Sequence, residues 1–543
     1  MSKKYPRKYM ENRPENNMSV ILLEHPRPAN PKRLEEVVNA PLSACLFTGY
    51  ITSLLRKNEI EVEIVDAHLY DWSFEQTTSY LARKAFRLLC VHTIYLWEKT
   101  QNVFDLLSNL RSAGVTAHIN LYGYYPTFAY KNILGRFSCI DSVTVGEPEM
   151  TILDLARRLL SEGDISSEKH VQGLALRESK SNVVFHPRPP IHDLDQLPFP
   201  DRQDVSLFQE KGIMTYIQGN RGCYGQCTFC YLNPFYGEIS QWRGRSAKNI
   251  FDEIFKLYTN HAITNFYFSD ANFFGPGKTG KERAITLAEL ILSGNLDISF
   301  GFECRANDIE EHSISRLVMA GLTNVFLGLE SGDPASLKRM RKHLTVDENK
   351  KAIQLLREYG IEPTYGFIMF DPYSTLEGVR NNYEFLKEMG IMTTPAVTAH
   401  LLHHRQTLFQ GTPDYQMMIP EPTCTGQDFV CSNYDAPYTI KDRRVAAFSE
   451  IIAHICGAAL SLLPRTFDCA THASAAFTMD TKTGLVMLNH GLIAIFEKTL
   501  QYFENNKHSH SQEVIQEMSQ RLTHEIRTLV EPYSLLHAGN ALL

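Results

Sequence analysis

The chain has no excess of positive charge. Its 54 Lys and Arg stand against 61 Asp and Glu, for a formal net charge of −7, so composition gives no reason to expect a nucleic-acid partner. It also lacks a long hydrophobic run. The most apolar later stretch, Ile451 to Leu463, is too short to span a bilayer and contains His454, which reads as a buried helix and excludes a membrane partner on this ground. Met1 to Asn17 is polar and basic without an apolar centre, neither a secretory signal nor an anchor, and reads as a disordered tail. These absences together place the chain in the cytoplasm. There, eleven cysteines argue for metal ligands and small buried hydrophobes over a disulfide framework. At 543 residues the chain is long for one domain and suggests about three.

Three of the cysteines stand close together, in Gly222-Cys223-Tyr224-Gly225-Gln226-Cys227-Thr228-Phe229-Cys230-Tyr231, after the strand-like run Ile213 to Gln218. The spacing is CxxxCxxC. A structural zinc site would ordinarily come as paired CxxC units, and no second pair is present. Three thiolates on one loop suit an iron-sulfur cubane instead, which normally takes four cysteines. The fourth iron is then left open to a small molecule.

From Met18 to about residue 165, short apolar runs alternate with helical periods. Val20 to Leu23, Val62 to Val65, Leu88 to Thr93, Ala117 to Tyr122 and Ser142 to Val145 read as strands, and Pro41 to Lys57 and Asn102 to Ser112 as helices. This is the pattern of a doubly wound, Rossmann-like parallel sheet, whose ligand belongs beyond the strand carboxyl ends. Residues 166–211 are rich in proline, at Pro187, Pro189, Pro190, Pro198 and Pro200, and read as a linker. Over 212–410 further βα units follow, with strands expected at Asn265 to Ser269, Ser299 to Glu303, Asn324 to Leu329, Thr364 to Met369 and Ala396 to Leu402. Together with Ile213 to Gln218 they make six, an open (β/α)6 barrel with its site at the strand ends. Asp270 and Asn272, Arg305 and Asn307, Glu330 and Ser331, and Asp371 gather there. Each alone would serve as a helix cap or surface pair; their joint placement points to a ligand. Residues 411–543 read as a helical region, with helices over Asp442 to Leu463, Leu485 to Asn505 and Gln512 to Val530.

The cysteine spacing, with Phe229 just before the last cysteine, resembles the signature of the radical S-adenosylmethionine superfamily. The order of an N-terminal sheet ending in Gly146-Glu147-Pro148-Glu149 and then a barrel is similar to the cobalamin-dependent branch, as are Gly366-Phe367-Ile368-Met369-Phe370-Asp371-Pro372 and Gly411-Thr412-Pro413. The resemblance implies a 4Fe-4S cluster on Cys223, Cys227 and Cys230, with S-adenosyl-L-methionine (SAM) on its open iron and an electron breaking the sulfonium bond. It assigns Asp270 and Asn272 to the methionyl amine, Arg305 to the carboxylate, Glu330 and Ser331 to ribose or amine, and Phe229 with Met369 to adenine. Ser269-Asp270-Ala271-Asn272 stands where the family often has Gly-Gly-Glu. Cobalamin would lie along the strand ends near Gly123 and Gly146. Asp66-Ala67-His68-Leu69-Tyr70-Asp71 begins like a cobalt-ligating loop but lacks its glycine. No histidine, His25, His68 or His92 included, is expected on cobalt. The implied activity is methyl transfer to a carbon or phosphinate centre of a small metabolite or peptide intermediate, with a flavodoxin or ferredoxin as electron donor. A radical cyclisation or rearrangement, a methyl transfer without a radical, a cobalamin or metal sensor, and a tRNA methylthiotransferase are the rival readings. The last usually adds a basic tail, which Gln512 to Leu543 is not. His403, His404 and Arg405 fit substrate contacts and core positions about equally. Cys424, Cys431, Cys456 and Cys469 are spaced too unevenly to suggest a second cluster.

Overall fold

The computed structural model describes residues 20–27, 46–93, 100–162, 171–179, 182–202, 205–210, 214–237, 242–419, 435–463, 477–506 and 511–533. The expected tail 1–17 and Cys424, Cys431 and Cys469 lie outside them.

The first sheet begins with five parallel strands: β1 (Val20–Glu24), β2 (Val62–Asp66), β3 (Leu88–His92), β4 (His118–Tyr122) and β5 (Ser142–Thr144), in the order β2-β1-β3-β4-β5. β1 and β3 are buried along their whole length and apolar up to their last residues, Glu24 and His92, as strands covered on both faces must be. The order reverses at β1, so a crevice opens beyond the carboxyl ends of β1 and β3. The expected linker is not wholly one. β6 (Leu174–Ser179) and β7 (Asn182–Phe185) extend the sheet as antiparallel strands, because the prolines begin only at Pro187. The extended run that follows is docked too, with Asp201 N–H donating to Gly49 C=O at 3.0 Å.

The second sheet starts with β8 (Thr215–Ile217). A two-residue ribbon, β9 (Asn220–Arg221) with β10 (Arg243–Gly244), flanks the cysteine loop. Then come β11 (Asn265–Phe268), β12 (Ser299–Arg305), β13 (Leu322–Glu330) and β14 (Thr364–Phe367), all parallel, in the order β14-β13-β12-β11-β8. A sixth strand at Ala396 to Leu402 does not form. Pro395–His403 is a helix, N-capped by Thr394 with proline in its first turn. That strong local start signal outweighs an apolar run whose periodicity suits either element. A single parallel bridge, Phe370 to Arg405, takes the sixth place.

The helices Arg443–Ser461, Met479–Asn505 and Gln512–Val530 do not make a core of their own. Phe448, Phe496 and Val530 belong to the same buried cluster as Ile217, Phe302 and Leu386 of the sheet layer. Phe370 lies 6.0 Å from Phe448, and Tyr383 stacks on Phe496 at 5.1 Å. Asn489 Nδ2 donates to Met392 C=O at 3.0 Å. Among the described residues, Arg443–Ser461 alone is long and apolar enough to cross a membrane, but Phe448, Ile452 and Ile455 on it are buried in this core.

Candidate active site

The cysteine loop runs from β9 to the short helix Leu232–Tyr236. Cys223, Cys227 and Cys230 are half-buried, whereas Cys90, Cys139, Cys304 and Cys456 are buried outright. The loop is pinned by backbone bonds, with Thr228 N–H donating to Met340 C=O and Asp414 N–H to Thr228 C=O, each at 3.0 Å. Arg305 packs close over Gly225: a Cβ there would sit 2.6 Å from Arg305 Nη1 and push the guanidinium aside. All three cysteines border one cavity of about 130 Å³ at the carboxyl end of the second sheet, together with Phe229, Glu303, Arg305, Glu330 and Lys342. Burial pushes the Cys223 and Cys230 thiols up, and the Lys342 ammonium pulls both the other way. Those two thiols therefore hold protons that a metal must displace. Among the described residues no three His, Cys, Asp or Glu side chains are grouped to hold one metal ion. Zinc ligands sit about 2.3 Å from a shared ion, while a cubane gives each cysteine its own iron.

Two cations stand at the cup. Arg305 Nη1 lies 3.5 Å from Cys227 Sγ, its Nη2 donates to Lys342 C=O, and its guanidinium lies 5.4 Å from the Tyr224 ring centre. Burial alone would lower its pKa, but Cys227, Tyr224 and Cys223 raise it. Lys342 is buried and its Nζ donates to Glu330 Oε1 at 2.8 Å. Burial lowers its pKa, and Glu330 and Cys227 more than reverse that. Glu330 takes a positive φ of 65° at the end of β13, turning the chain so that its carboxylate meets Lys342. Glu303 projects into the same cavity, and burial, with the carboxylates of Asp270 and Glu330 nearby, pushes its pKa up to about 7.

Of the residues expected around SAM, Phe229, Arg305 and Glu330 border this cavity, and Asp270, Asn272, Ser331 and Met369 do not. Asp270 accepts from Gly219 N–H, Asn220 N–H and Asn220 Nδ2 at 2.7, 3.0 and 2.8 Å, so its carboxylate ties the β8-to-β9 turn. Asn272 Nδ2 donates to Asp308 Oδ2, and its Oδ1 accepts from Gly275 N–H, both at 2.7 Å. Ser331 Oγ donates to Asn382 Oδ1 at 2.7 Å and accepts from Asp333 N–H at 3.0 Å. Met369 is buried. Asp270, Asn272 and Ser331 spend their polar atoms on these turns. Glu303 and Lys342, which border the cavity, were not among the expected residues. Glu303 stands two residues before Arg305 on one strand, hence on the same face, and that spacing could have found it. Lys342 follows a short helix, between Arg341 and His343, both at positive φ, and carries no local signal.

On the first sheet, Gly123 has φ +119°, and a Cβ there would lie 2.4 Å from Thr93 O. Gly146, at φ +82°, has nothing nearer than 3.9 Å to such a Cβ. Both stand past strand ends, at β4 and β5; Gly123 lets the chain pass close against the Thr93 carbonyl, and Gly146 takes a left-handed turn in open space. Glu24 at the end of β1 accepts from Arg27, from Thr48 and, at 3.0 Å, from His92 Nδ1. His25 is buried with Nδ1 2.8 Å from Pro26 O, and burial lowers its pKa to about 3, so the ring is neutral. His68 is half-buried in the turn after β2. Arg405, half-buried, lies with its guanidinium 5.0 Å from the Tyr438 ring centre, and His404 is half-buried too; neither they nor His403 borders the cavity.

Residues 217–386 match the model of the radical SAM superfamily. The chain is 25% identical over 377 residues to an uncharacterized methyltransferase of Pyrococcus horikoshii, covering 69% of this chain and 79% of that one. It is 28% identical over 427 residues to an anaerobic magnesium-protoporphyrin IX monomethyl ester cyclase of Synechocystis, covering 74% and 78%. Its fold is similar to that of the cobalamin-dependent S-adenosylmethionine radical enzyme OxsB solved with aqua-cobalamin bound, with a TM-score of 0.72 at 19% identity over 97% of this chain and 81% of that one.

Proposed function

We propose, for a chain that belongs to the radical S-adenosylmethionine superfamily and its cobalamin-dependent subgroup, that it is an enzyme transferring a methyl group to a carbon or phosphinate centre of a small metabolite or peptide intermediate. One SAM generates the radical and a second is the methyl donor. The observation that carries this reading is the three-cysteine cup opening on a charged cavity in the same chain as a parallel sheet whose strand order reverses at β1.

Cys223, Cys227 and Cys230 would hold a 4Fe-4S cluster. Glu330 would offer its carboxylate and Glu303 its carboxyl group to the methionyl ammonium and ribose of SAM, Arg305 and Lys342 would meet its carboxylate, and Phe229 would offer its ring to adenine. These assignments replace Asp270, Asn272 and Ser331 by residues that border the cavity. Cobalamin would lie along the first sheet at Gly123 and Gly146. When bound, cluster and SAM supply a 5'-deoxyadenosyl radical, and cobalamin carries the methyl group. The protein's part is to neutralise charge at the cup, orient the cofactors and keep water out. A ferredoxin or flavodoxin would supply electrons.

The test is anaerobic reconstitution with iron, sulfide and hydroxocobalamin, followed by SAM carrying a labelled methyl group, a reductant and candidate substrates. Product heavier by one labelled methyl, with 5'-deoxyadenosine, supports the reading; no SAM cleavage under strong reductant refutes it. A second reading, cyclisation or rearrangement, is favoured by the likeness to the Synechocystis cyclase and predicts product without the added methyl.

A further inference from the structure

We infer that Arg221, clamped by Glu149 and Glu147, is a positioning residue that locks the cysteine loop to the first sheet and so fixes the separation of cluster and cobalamin. The inference rests on the reading above in taking cobalamin to lie on that sheet. Arg221 stands two residues before Cys223 and is one of the largest fully buried side chains in the protein. Its guanidinium is used on every side. Nη2 donates to Glu149 Oε1 and Nη1 to Glu149 Oε2, the latter at 3.2 Å, while Glu147 lies 3.7 Å from Nη1. Nε donates to Gln218 Oε1 at 3.0 Å, and the planar group sits 5.5 and 5.4 Å from the ring centres of Phe47 and Tyr50. Glu147, Glu149, Phe47 and Tyr50 all belong to the first domain. Arg243, paired with Arg221 in the β9-β10 ribbon, donates to Glu147.

The other end of the loop is held the same way. Phe235 and Tyr236, just beyond Cys230, are buried in the core of the first sheet, with Phe235 4.6 Å from Tyr124 and 6.0 Å from Phe47. Tyr231, next to Cys230, lies 4.8 Å from Tyr124. The cysteines thus hang between two anchors, both fixed to the domain that carries the strand-end rim. The Gly-Glu-Pro-Glu segment serves as the receptor for this clamp. A bidentate fork meeting a fixed carboxylate sets angle as well as distance, which a lysine cannot do.

The experiment uses the full chain loaded with cluster and cobalamin, reduced to the state in which the cluster and cob(II)alamin both carry unpaired spin. Pulsed dipolar spectroscopy then gives their distance distribution, and 5'-deoxyadenosine formation without substrate is followed in parallel. Arg221→Met should keep iron and cobalamin, form 5'-deoxyadenosine within about twofold of the parent, and widen the distance distribution at least twofold; Arg221→Lys should lie between. A lower melting temperature with an unchanged distribution would mean a merely structural role and overturns the inference. If Arg221→Met fails to load iron, Glu149→Gln, which leaves Arg221 one acceptor oxygen in place of two, carries the same measurement: a widened distribution supports the inference and an unchanged one overturns it. A parent protein that takes up no cobalamin overturns the underlying reading, before any variant is made, and the inference with it.

Discussion

Lys342→Met should be among the most damaging single changes in the cavity even with no cofactor bound. The Lys342 ammonium and Glu330 carboxylate lie 2.8 Å apart with side chains only 5% and 12% exposed, so removing the cation leaves a nearly buried carboxylate without its partner. Breaking a buried pair from one side costs about 3–5 kcal/mol, while replacing both partners by apolar groups of similar volume is close to neutral. For a unit of roughly 300 residues, the second sheet with the helices that share its core, 1 kcal/mol moves the melting temperature by roughly 1.5 °C. The single variant should therefore melt roughly 4–8 °C lower in calorimetry of the cofactor-free chain. Glu330→Met combined with Lys342→Met should recover most of that loss, and the double-variant cycle should report coupling. If the single change shifts melting by less than about 2 °C, or the pair melts no higher than the single variant, the pair is solvated and the account of the cavity as a dry, charge-balanced site is wrong.

Alanine at any one of Cys223, Cys227 or Cys230 should abolish iron and sulfide uptake on reconstitution, read by metal analysis and loss of the cluster's visible absorption, whereas Cys456→Ala should leave both unchanged. Glu303 holds its proton up to about pH 7 in the native state, through burial and the carboxylates of Asp270 and Glu330, against 4.5 for the free group. The native state thus binds more protons across that window, and the stability Glu303 contributes is full below it and lost as pH rises through it. Glu303→Gln should therefore gain on the parent by up to about 1.4 kcal/mol per pH unit between those values, with no gain below pH 4.5, seen by melting across pH. Gly123→Ala puts a Cβ 2.4 Å from the Thr93 carbonyl at a positive φ. It should cost about 1–3 kcal/mol and weaken hydroxocobalamin uptake in a spectroscopic titration.

Much of the architecture was written in local pattern. The apolar runs of β1 and β3 and the CxxxCxxC loop announce themselves because each depends on neighbours in sequence. Where the structure differs from expectation, tertiary placement decides the matter. Asp270 and Asn272 do stand at a strand end, but whether a strand-end carboxylate meets ligand or backbone depends on the turn opposite, here Gly219 and Asn220, which no spacing reveals. Lys342 reaches the cup from beyond a helix by way of two left-handed residues. Glu147 and Glu149 were visible as a motif, yet their partners Arg221 and Arg243 lie some seventy to a hundred residues away. The helix Pro395–His403 was the one legible feature misread, since Thr394 and Pro395 spell a helix start.

The shared burial of Phe448, Phe496 and Val530 with the second sheet bears on how the protein can be dissected. Cutting those helices away would bare the apolar surface that they share with the second sheet and its helices. Shortened versions stopping near residue 420 should therefore precipitate on expression, and mild protease treatment should nick the chain without releasing a folded central fragment.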